Sequence, residues 1–129
     1  MTDEVRALAE DSIALDRRTF AMAHAAGVPV LASSDASFAN PYLFHGFSLL
    51  DELDIYVEAG LTPREALYTA TVAPPLFFGL GDQDGTISEG CRADLVLLDA
   101  NPRDGRSALR HPHAVIAGGL VLYRVALDA

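Results

Sequence analysis

The sequence predicts an α/β fold in which helices flank a parallel strand and precede a short antiparallel β region. Three patterns support this prediction. Apolar residues between Asp3 and about Ala26 recur at helical spacing. The apolar run 28–32 shows no alternation, which is typical of a parallel strand covered on both faces. Near the C-terminus, Gly118-Gly119 separates two apolar runs and suits the positive φ angles of a hairpin turn.

Boundary residues define the first two helices and the strand between them. Gly27 supplies a C-cap for the first helix. Pro29 is tolerated in the strand because the first strand residues need not donate to the ladder. Residues 36–47 are expected to form a loop. The segment Ser48-Leu49-Leu50-Asp51 resembles a capping box and predicts a second helix that ends at Gly60.

The third predicted helix has the clearest start in the chain. Thr62-Pro63-Arg64-Glu65 offers a threonine cap, proline at the first helical position and glutamate at the third. We expect this helix to reach about Val72, because Pro74-Pro75 cannot continue it. The aromatic residues Phe77 and Phe78 are expected to pack between helices.

The composition changes about two thirds of the way along the chain, where glycines begin to separate short segments. Residues 93–99 predict a strand, and we expect its Asp94 and Asp99 to make turn and strand-edge contacts. These patterns divide the chain into a helix-rich part, 1–80, and a β-rich part, 81–129.

Composition narrows the classes of function. The 129 residues carry a formal net charge of −9, which would repel nucleic acid. All basic residues are arginine, so a P-loop lysine and a Schiff-base lysine are excluded within this chain. The single Cys91 allows no intrachain disulfide. The chain has no apolar run long enough to cross a membrane and begins with acidic, polar residues, so a cytoplasmic location is expected.

Asp35 is the residue that carries most information about function. It follows the predicted strand 28–32 directly after the small residues Ser33 and Ser34. A carboxylate is costly to bury alone, so at this place it needs a helix-cap amide, an arginine or a metal ion. The carboxyl end of a parallel strand is where α/β proteins place their sites. Local sequence leaves two interpretations open: a metal ligand or general base, and a cap or turn aspartate.

A series of segments then suggests a family. They are AGVPVLASSDA (26–36), His45, LDEL (50–53), EAGLTPREAL (58–67), AT (70–71), GTISEG (85–90), ADLVLLDANP (93–102) and VIAGG (115–119). In this order they resemble the C-terminal part of the metal-dependent amidohydrolase superfamily, in its imidazolonepropionase-like and prolidase-like branch. The resemblance covers nearly the whole chain.

The resemblance implies the C-terminal part of a (β/α)8 barrel, namely the last strand with its flanking helices, followed by a segment of a small antiparallel β-sandwich. It implies that Asp35 ligates a divalent metal, zinc by preference, and accepts a proton from the water that the metal activates. His45 would lie on the loop over the barrel mouth, where substrate contact and helix-entry packing are both open. Two departures from the family pattern, Ser33-Ser34 and Ala73-Pro74-Pro75, are modest.

The other metal ligands of this family lie N-terminal to the matching segment, and a barrel needs about 250 residues. His111 and His113 have His-x-His spacing, but they precede the last hairpin and are rejected as substitutes. His24 is expected to be structural or exposed. One carboxylate cannot hold a catalytic zinc, which normally has three protein ligands.

Two hypotheses follow for the function. In the first, the chain is the C-terminal portion of a hydrolase that cleaves C–N bonds other than ordinary peptide bonds, in a cyclic-amide, imidazolone-like or dipeptide-like substrate. In the second, it is a catalytically inactive remnant or an interaction fragment. Both predict that the chain binds the missing barrel half or associates with itself, and neither involves nucleic acid or a membrane.

Overall fold

The computed structural model describes residues 2–37, 42–105 and 107–124. Its elements in chain order are α1 (Asp3–Ala25), α2 (Phe47–Glu58), α3 (Pro63–Thr71), α4 (Ala73–Phe77), β1 (Leu95–Leu97), α5 (Ser107–Arg110), β2 (Ala114–Ala117) and β3 (Leu120–Tyr123). The mixture of helix and strand agrees with the predicted α/β class. The boundary between 1–80 and 81–129 stays a prediction.

Helix α1 has the predicted bounds. The Thr2 side chain caps it by accepting a hydrogen bond from the Val5 amide at 3.4 Å. Gly27 follows the helix with a φ of 77°, as expected for the left-handed residue after a helix C-terminus. No residue of α1 is buried. The helix contacts α2 through Phe20, which stacks on Tyr56 with the ring centroids 4.4 Å apart, and through an ion pair between Arg17 and Glu58 at 3.0 Å.

Helix α3 starts with the predicted capping box. The Thr62 Oγ1 atom accepts from the Glu65 amide at 3.3 Å, and the Glu65 carboxylate accepts from the Thr62 amide at 2.8 Å. Pro63 occupies the first helical position, where its missing N–H costs nothing. Two of the unpaired amides at this helix start are therefore satisfied by neighbouring side chains.

The predicted capping box of α2 is wrong. The helix begins one residue before Ser48, after Gly46 at a φ of 83°, and no side chain caps it. Ser48 lies inside the first turn, where its hydroxyl accepts from the Phe44 amide at 2.8 Å. The hydroxyl thus holds the preceding loop, because a local serine–backbone bond competes with capping.

Residues 28–32, the predicted extended segment, belong to neither a helix nor a strand ladder within the described residues. A parallel strand needs neighbouring strands for its in-plane hydrogen bonds. The groups that approach this segment come from helices: the Thr69 carbonyl accepts from the Ala32 amide at 3.0 Å. Within the described residues, the predicted strand is therefore not formed.

The buried core is small and sits between α2 and α3. Its members are Leu53, Tyr56, Leu61 and Ala66. Phe20, Val30 and Ala32 are among the partly buried residues that pack against it, so the extended segment lies on this core. Fixing α2 and α3 against each other therefore also fixes the segment that leads to Asp35.

The C-terminal strands form an antiparallel sheet in the order β1-β2-β3. The β2–β3 hairpin turns at Gly118 and Gly119, whose φ angles are 56° and 83°, as predicted. Asp94 makes the expected turn contact, since its Oδ1 accepts from the Gly118 amide at 2.6 Å. Strand β1 is shorter than the predicted 93–99.

Two local features were not predicted correctly. No sequence pattern indicated the short helix α5. Its Arg110 forms ion pairs with Asp51 at 2.6 Å and Asp54 at 3.1 Å on α2. The side chains of Phe77 and Phe78 pack edge-to-face on each other and are 70% and 69% exposed, so the prediction that they pack between helices is wrong. No described residue covers them.

Candidate functional site around Asp35

Asp35 lies at the end of the extended segment, in an unusual backbone conformation. Its φ is 49°, and among the described residues every other positive φ belongs to a glycine. Left-handed backbone is uncommon for non-glycine residues, and aspartate is one of the few that adopt it. Such outliers cluster at functional sites, where surrounding structure maintains them.

The turn at Asp35 is formed by its neighbours. The Ser34 Oγ accepts from the Ala36 amide at 3.3 Å, so a local side-chain bond closes the chain around Asp35. The carboxylate of Asp35 takes no part in this turn. This agrees with a turn position for the backbone but leaves the side chain available.

The expected burial of Asp35 is wrong, because the residue is exposed. Within the described ranges its carboxylate has neither an arginine partner nor a helix-cap amide, and the next helix begins only at Phe47. Of the three partners considered from sequence, the metal ion is the one that the structure does not test. Within the described ranges, the Asp35 side chain makes no hydrogen bond or ion pair.

The peptide group between Leu31 and Ala32 is held by two helices. Its carbonyl accepts from the Tyr56 hydroxyl at 3.4 Å, and its amide donates to the Thr69 carbonyl at 3.0 Å. Sequence reasoning missed both helix residues. A phenol at a core-facing position of α2 was the available signal, since a buried tyrosine O–H usually finds an acceptor.

Tyr56 is firmly embedded. It is 7% exposed, and its ring stacks on Phe20. Burial, together with a hydrogen bond to the Glu52 carboxylate and that carboxylate's charge, raises the pKa of Tyr56 well above its ordinary value. The hydroxyl therefore stays protonated and is a donor throughout the physiological pH range.

His45 is exposed in the turn before α2. It follows Phe44, whose amide is held by Ser48, so the loop carrying it is tied to the first turn of α2. Its substrate-contact role stays a prediction.

The remaining histidines lie elsewhere. The His113 Nδ1 atom is 2.9 Å from Asp99 Oδ1, and Arg124 binds the other carboxylate oxygen at 2.9 Å. The Arg124 guanidinium, with a smaller contribution from His113, holds the pKa of Asp99 below its usual range. Arg124 also donates to the His111 carbonyl at 2.6 Å. These contacts tie the ends of the β unit together.

The donor set for a metal is incomplete in the described part of the chain. No group of three or more His, Cys, Asp or Glu side chains in that part could hold a metal ion. Asp35 offers one carboxylate of the right chemistry, but the residues present do not fit a complete catalytic zinc site.

None of the helices in the described ranges has the length and apolar content needed to cross a bilayer.

Comparison with known proteins gives consistent matches. The model of the family described as "Amidohydrolase family" matches residues 4–122. An imidazolonepropionase from Thermoplasma volcanium is 34% identical over 76 residues, which are 58% of this chain and 18% of that protein. An ochratoxinase from Aspergillus niger is 33% identical over 92 residues, which are 70% of this chain and 18% of that protein.

A solved structure supports the same relationship. The crystal structure of a Xaa-Pro dipeptidase with methionine in its active site is 29% identical with a TM-score of 0.73, covering 83% of this chain and 25% of that one. The chain thus spans less than a fifth of these curated relatives and a quarter of the solved structure. Because the family model matches nearly its full length, the chain belongs to the Amidohydrolase family.

Proposed function

We propose that this chain supplies the Asp35 carboxylate to the active site of a metal-dependent hydrolase that cleaves C–N bonds other than ordinary peptide bonds. The observation that carries the proposal is Asp35 itself: an exposed carboxylate without a structural contact among the described residues, in left-handed backbone at the end of an extended segment, in a chain of this family. Family membership supports hydrolysis of C–N bonds, since relatives include an imidazolonepropionase and a Xaa-Pro dipeptidase.

The proposal includes a divalent metal whose other ligands lie outside this chain. A divalent metal, zinc by preference, would acidify a water and polarise the substrate carbonyl. Asp35 would contribute one carboxylate ligand, take a proton from the attacking water and pass it to the leaving nitrogen. His45, on the tethered loop, would contact the substrate.

The proposed substrate is a small molecule with a cyclic-amide, imidazolone-like or dipeptide-like C–N bond. The names of the relatives support this range, because one acts on imidazolone propionate and another on Xaa-Pro dipeptides. In the proposed architecture, the extended segment is the last strand of a (β/α)8 barrel, and residues 81–129 are a segment of a β-sandwich.

The large exposed surface area of the chain supports the proposal that further polypeptide covers it. The chain exposes 9494 Å², whereas a compact monomer of this length exposes about 6,600 Å². Complete exposure of the residues outside the described ranges would account for about 1,100 Å² of the difference at most. The remainder exceeds the roughly 800 Å² that one partner buries in a standard protein–protein interface. We propose that the other barrel segments, in the same polypeptide or in a second one, cover this surface.

The test uses the protein purified from its own cells by a tag on this chain, so that any polypeptide supplying the other ligands is retained. We expect bound zinc and hydrolysis of Xaa-Pro dipeptides or imidazolone propionate. Asp35→Asn should lower kcat about 10²–10⁴-fold, because it removes both a ligand and the proton acceptor. Metal content and steady-state kinetics are the measurements.

Asp82→Asn is the matched control, because it makes the same chemical change in an exposed loop before the β unit. It should leave kcat and metal content unchanged. Full activity in Asp35→Asn would overturn the proposal.

The inactive-remnant hypothesis is the second candidate, favoured by the incomplete donor set within the described residues. It predicts that the tagged chain purifies without stoichiometric metal and without hydrolysis of either substrate class. In that case the chain would be an interaction fragment that kept the family fold.

A further inference from the structure

We propose that Tyr56 is a positioning residue for Asp35: together with the carbonyl of Thr69, it clamps the Leu31–Ala32 peptide and so sets where the strand ends and the turn at Asp35 begins. The catalytic consequence of this clamp rests on the proposed function, whereas the clamp itself rests on contacts within this chain.

Both ends of one peptide group are engaged. Its C=O accepts from the Tyr56 hydroxyl at 3.4 Å, and its N–H donates to the Thr69 carbonyl at 3.0 Å. In a trans peptide these two groups point in opposite directions, so the peptide is restrained from two sides. Asp35 is three residues beyond Ala32, and a restraint this close limits the positions its carboxylate can reach.

Tyr56 is suited to this role because its own position is determined by the core. It packs in the cluster with Leu53 and Leu61 and stacks on Phe20 at an interplanar angle of 23°. Burial keeps the phenol protonated, so its O–H is available to donate to the Leu31 carbonyl, with the Glu52 carboxylate as a second acceptor in reach.

The Thr69 carbonyl is available because α3 ends at Thr71. The last four carbonyls of a helix have no donor within it, and Thr69 is among those residues. The Thr69 side chain bonds back to the Ala66 carbonyl at 2.7 Å, and the residue is buried. Because α3 ends at Thr71, the Thr69 carbonyl takes its hydrogen bond from the Ala32 amide.

The clamp has a consequence for strand pairing. The Ala32 N–H is bonded to the Thr69 carbonyl and therefore cannot donate to a neighbouring strand. A sheet that includes residues 28–32 would therefore lose the ladder bond that the Ala32 N–H would otherwise donate. The chain is then free to make the left-handed turn at Asp35, closed by Ser34.

The first measurement is made on the unaltered 129-residue chain by NMR. A scalar coupling across the hydrogen bond between the Ala32 amide nitrogen and the Thr69 carbonyl carbon is expected. Tyr56→Phe should then raise the Ala32 amide exchange rate about 5–10-fold and shift the Asp35 Cα resonance, because one neutral hydrogen bond is lost while the ring stack remains. Amides in the middle of α2 should keep their exchange rates.

Tyr68→Phe is the matched control, since Tyr68 is half-exposed on α3 and the structure gives it no hydrogen bond to the segment. Tyr68→Phe should change neither the Ala32 amide exchange rate nor the Asp35 Cα resonance. In the protein purified from its own cells, Tyr56→Phe should lower kcat with KM unchanged.

Three results would overturn the clamp: no coupling between Ala32 and Thr69, unchanged exchange in Tyr56→Phe, or the same changes in Tyr68→Phe. If Tyr56→Phe alters Ala32 and Asp35 while Asp35→Asn retains full activity, the clamp stands and the proposed function fails. If Asp35→Asn loses activity while Tyr56→Phe changes nothing, the proposed function stands and the clamp fails.

Discussion

Asp35 is held in a backbone conformation that is unfavourable for an L-residue. Left-handed backbone costs an L-residue about 1–2 kcal/mol, and the Asp35 side chain makes no described contact that would offset it. Ser34 and the clamped Leu31–Ala32 peptide maintain the conformation from either side. A strained residue whose side chain is unused by the fold is a better functional candidate than a buried one with an ion pair.

At Gly85, both the positive φ and the lack of room for a Cβ atom require glycine. Its φ is 88°, and a Cβ there would lie 2.7 Å from the Thr71 carbonyl oxygen and 3.1 Å from the Val72 Cα. Both atoms are backbone and cannot move aside cheaply. We expect Gly85→Ala to lower the free energy of unfolding by about 2–4 kcal/mol, combining overpacking with left-handed strain.

Gly90→Ala is the control for that prediction, because Gly90 has a similar φ of 92° and a Cβ added there would meet no atom within 4 Å. It should lose about 1 kcal/mol, from conformation alone. Urea denaturation of both variants measures the difference. Equal losses would show that the loop at Gly85 can move away from α3.

At the scale of elements, the capping box of α3 makes stability depend on pH. Hydrogen bonds from the Thr62 hydroxyl and amide hold the pKa of Glu65 below its ordinary value. A carboxyl with a lower pKa in the folded state stabilises the fold above its unfolded pKa, and this contribution is lost as pH falls through the folded pKa. We expect the thermal midpoint to fall between about pH 5 and pH 3 more steeply in the unaltered chain than in Glu65→Gln.

Glutamine at the same position can still cap the helix but does not titrate. Asp99, whose pKa is also lowered, titrates in both proteins, so the difference between the two curves isolates Glu65. Parallel curves would mean that the box contributes no pH dependence.

The two helix starts explain why one prediction succeeded and the other failed. At α3, Thr62, Pro63 and Glu65 each favour the same start, so local chemistry was sufficient. At α2, Ser48 was the main polar signal, yet its hydroxyl accepts from the Phe44 amide and the helix begins at Phe47, after Gly46. A serine offers the backbone several alternatives, and the loop decided among them.

At the scale of the molecule, α1 has apolar residues on more than one face. Phe20 packs on Tyr56, whereas Leu8 and Leu15, seven residues apart, are 71% and 64% exposed. A helix that buries none of its residues gains little from tertiary packing. The exposed face of α1 that carries Leu8 and Leu15 is part of the excess surface. In our proposal, the missing barrel segments cover it.

The isolated 129-residue chain is therefore expected to associate as its concentration rises. Leu8→Glu combined with Leu15→Glu should shift it toward monomer, because charge on that face opposes apolar contact. Sedimentation equilibrium measures the mass. Ile87→Glu is the control, since Ile87 is 89% exposed on a loop outside this face. A chain that is monomeric at all concentrations would contradict this expectation.

The sequence by itself determined the family, the bounds of α1, the start of α3, the β2–β3 turn and the position of Asp35 after an extended apolar run. These features depend on neighbours along the chain, which a sequence displays directly. Only the tertiary structure decided that Asp35 is exposed and left-handed, and that Tyr56, 25 residues from Leu31, bonds the segment leading to it. Such contacts arise from how helices pack on a shared core, and no local pattern encodes that packing.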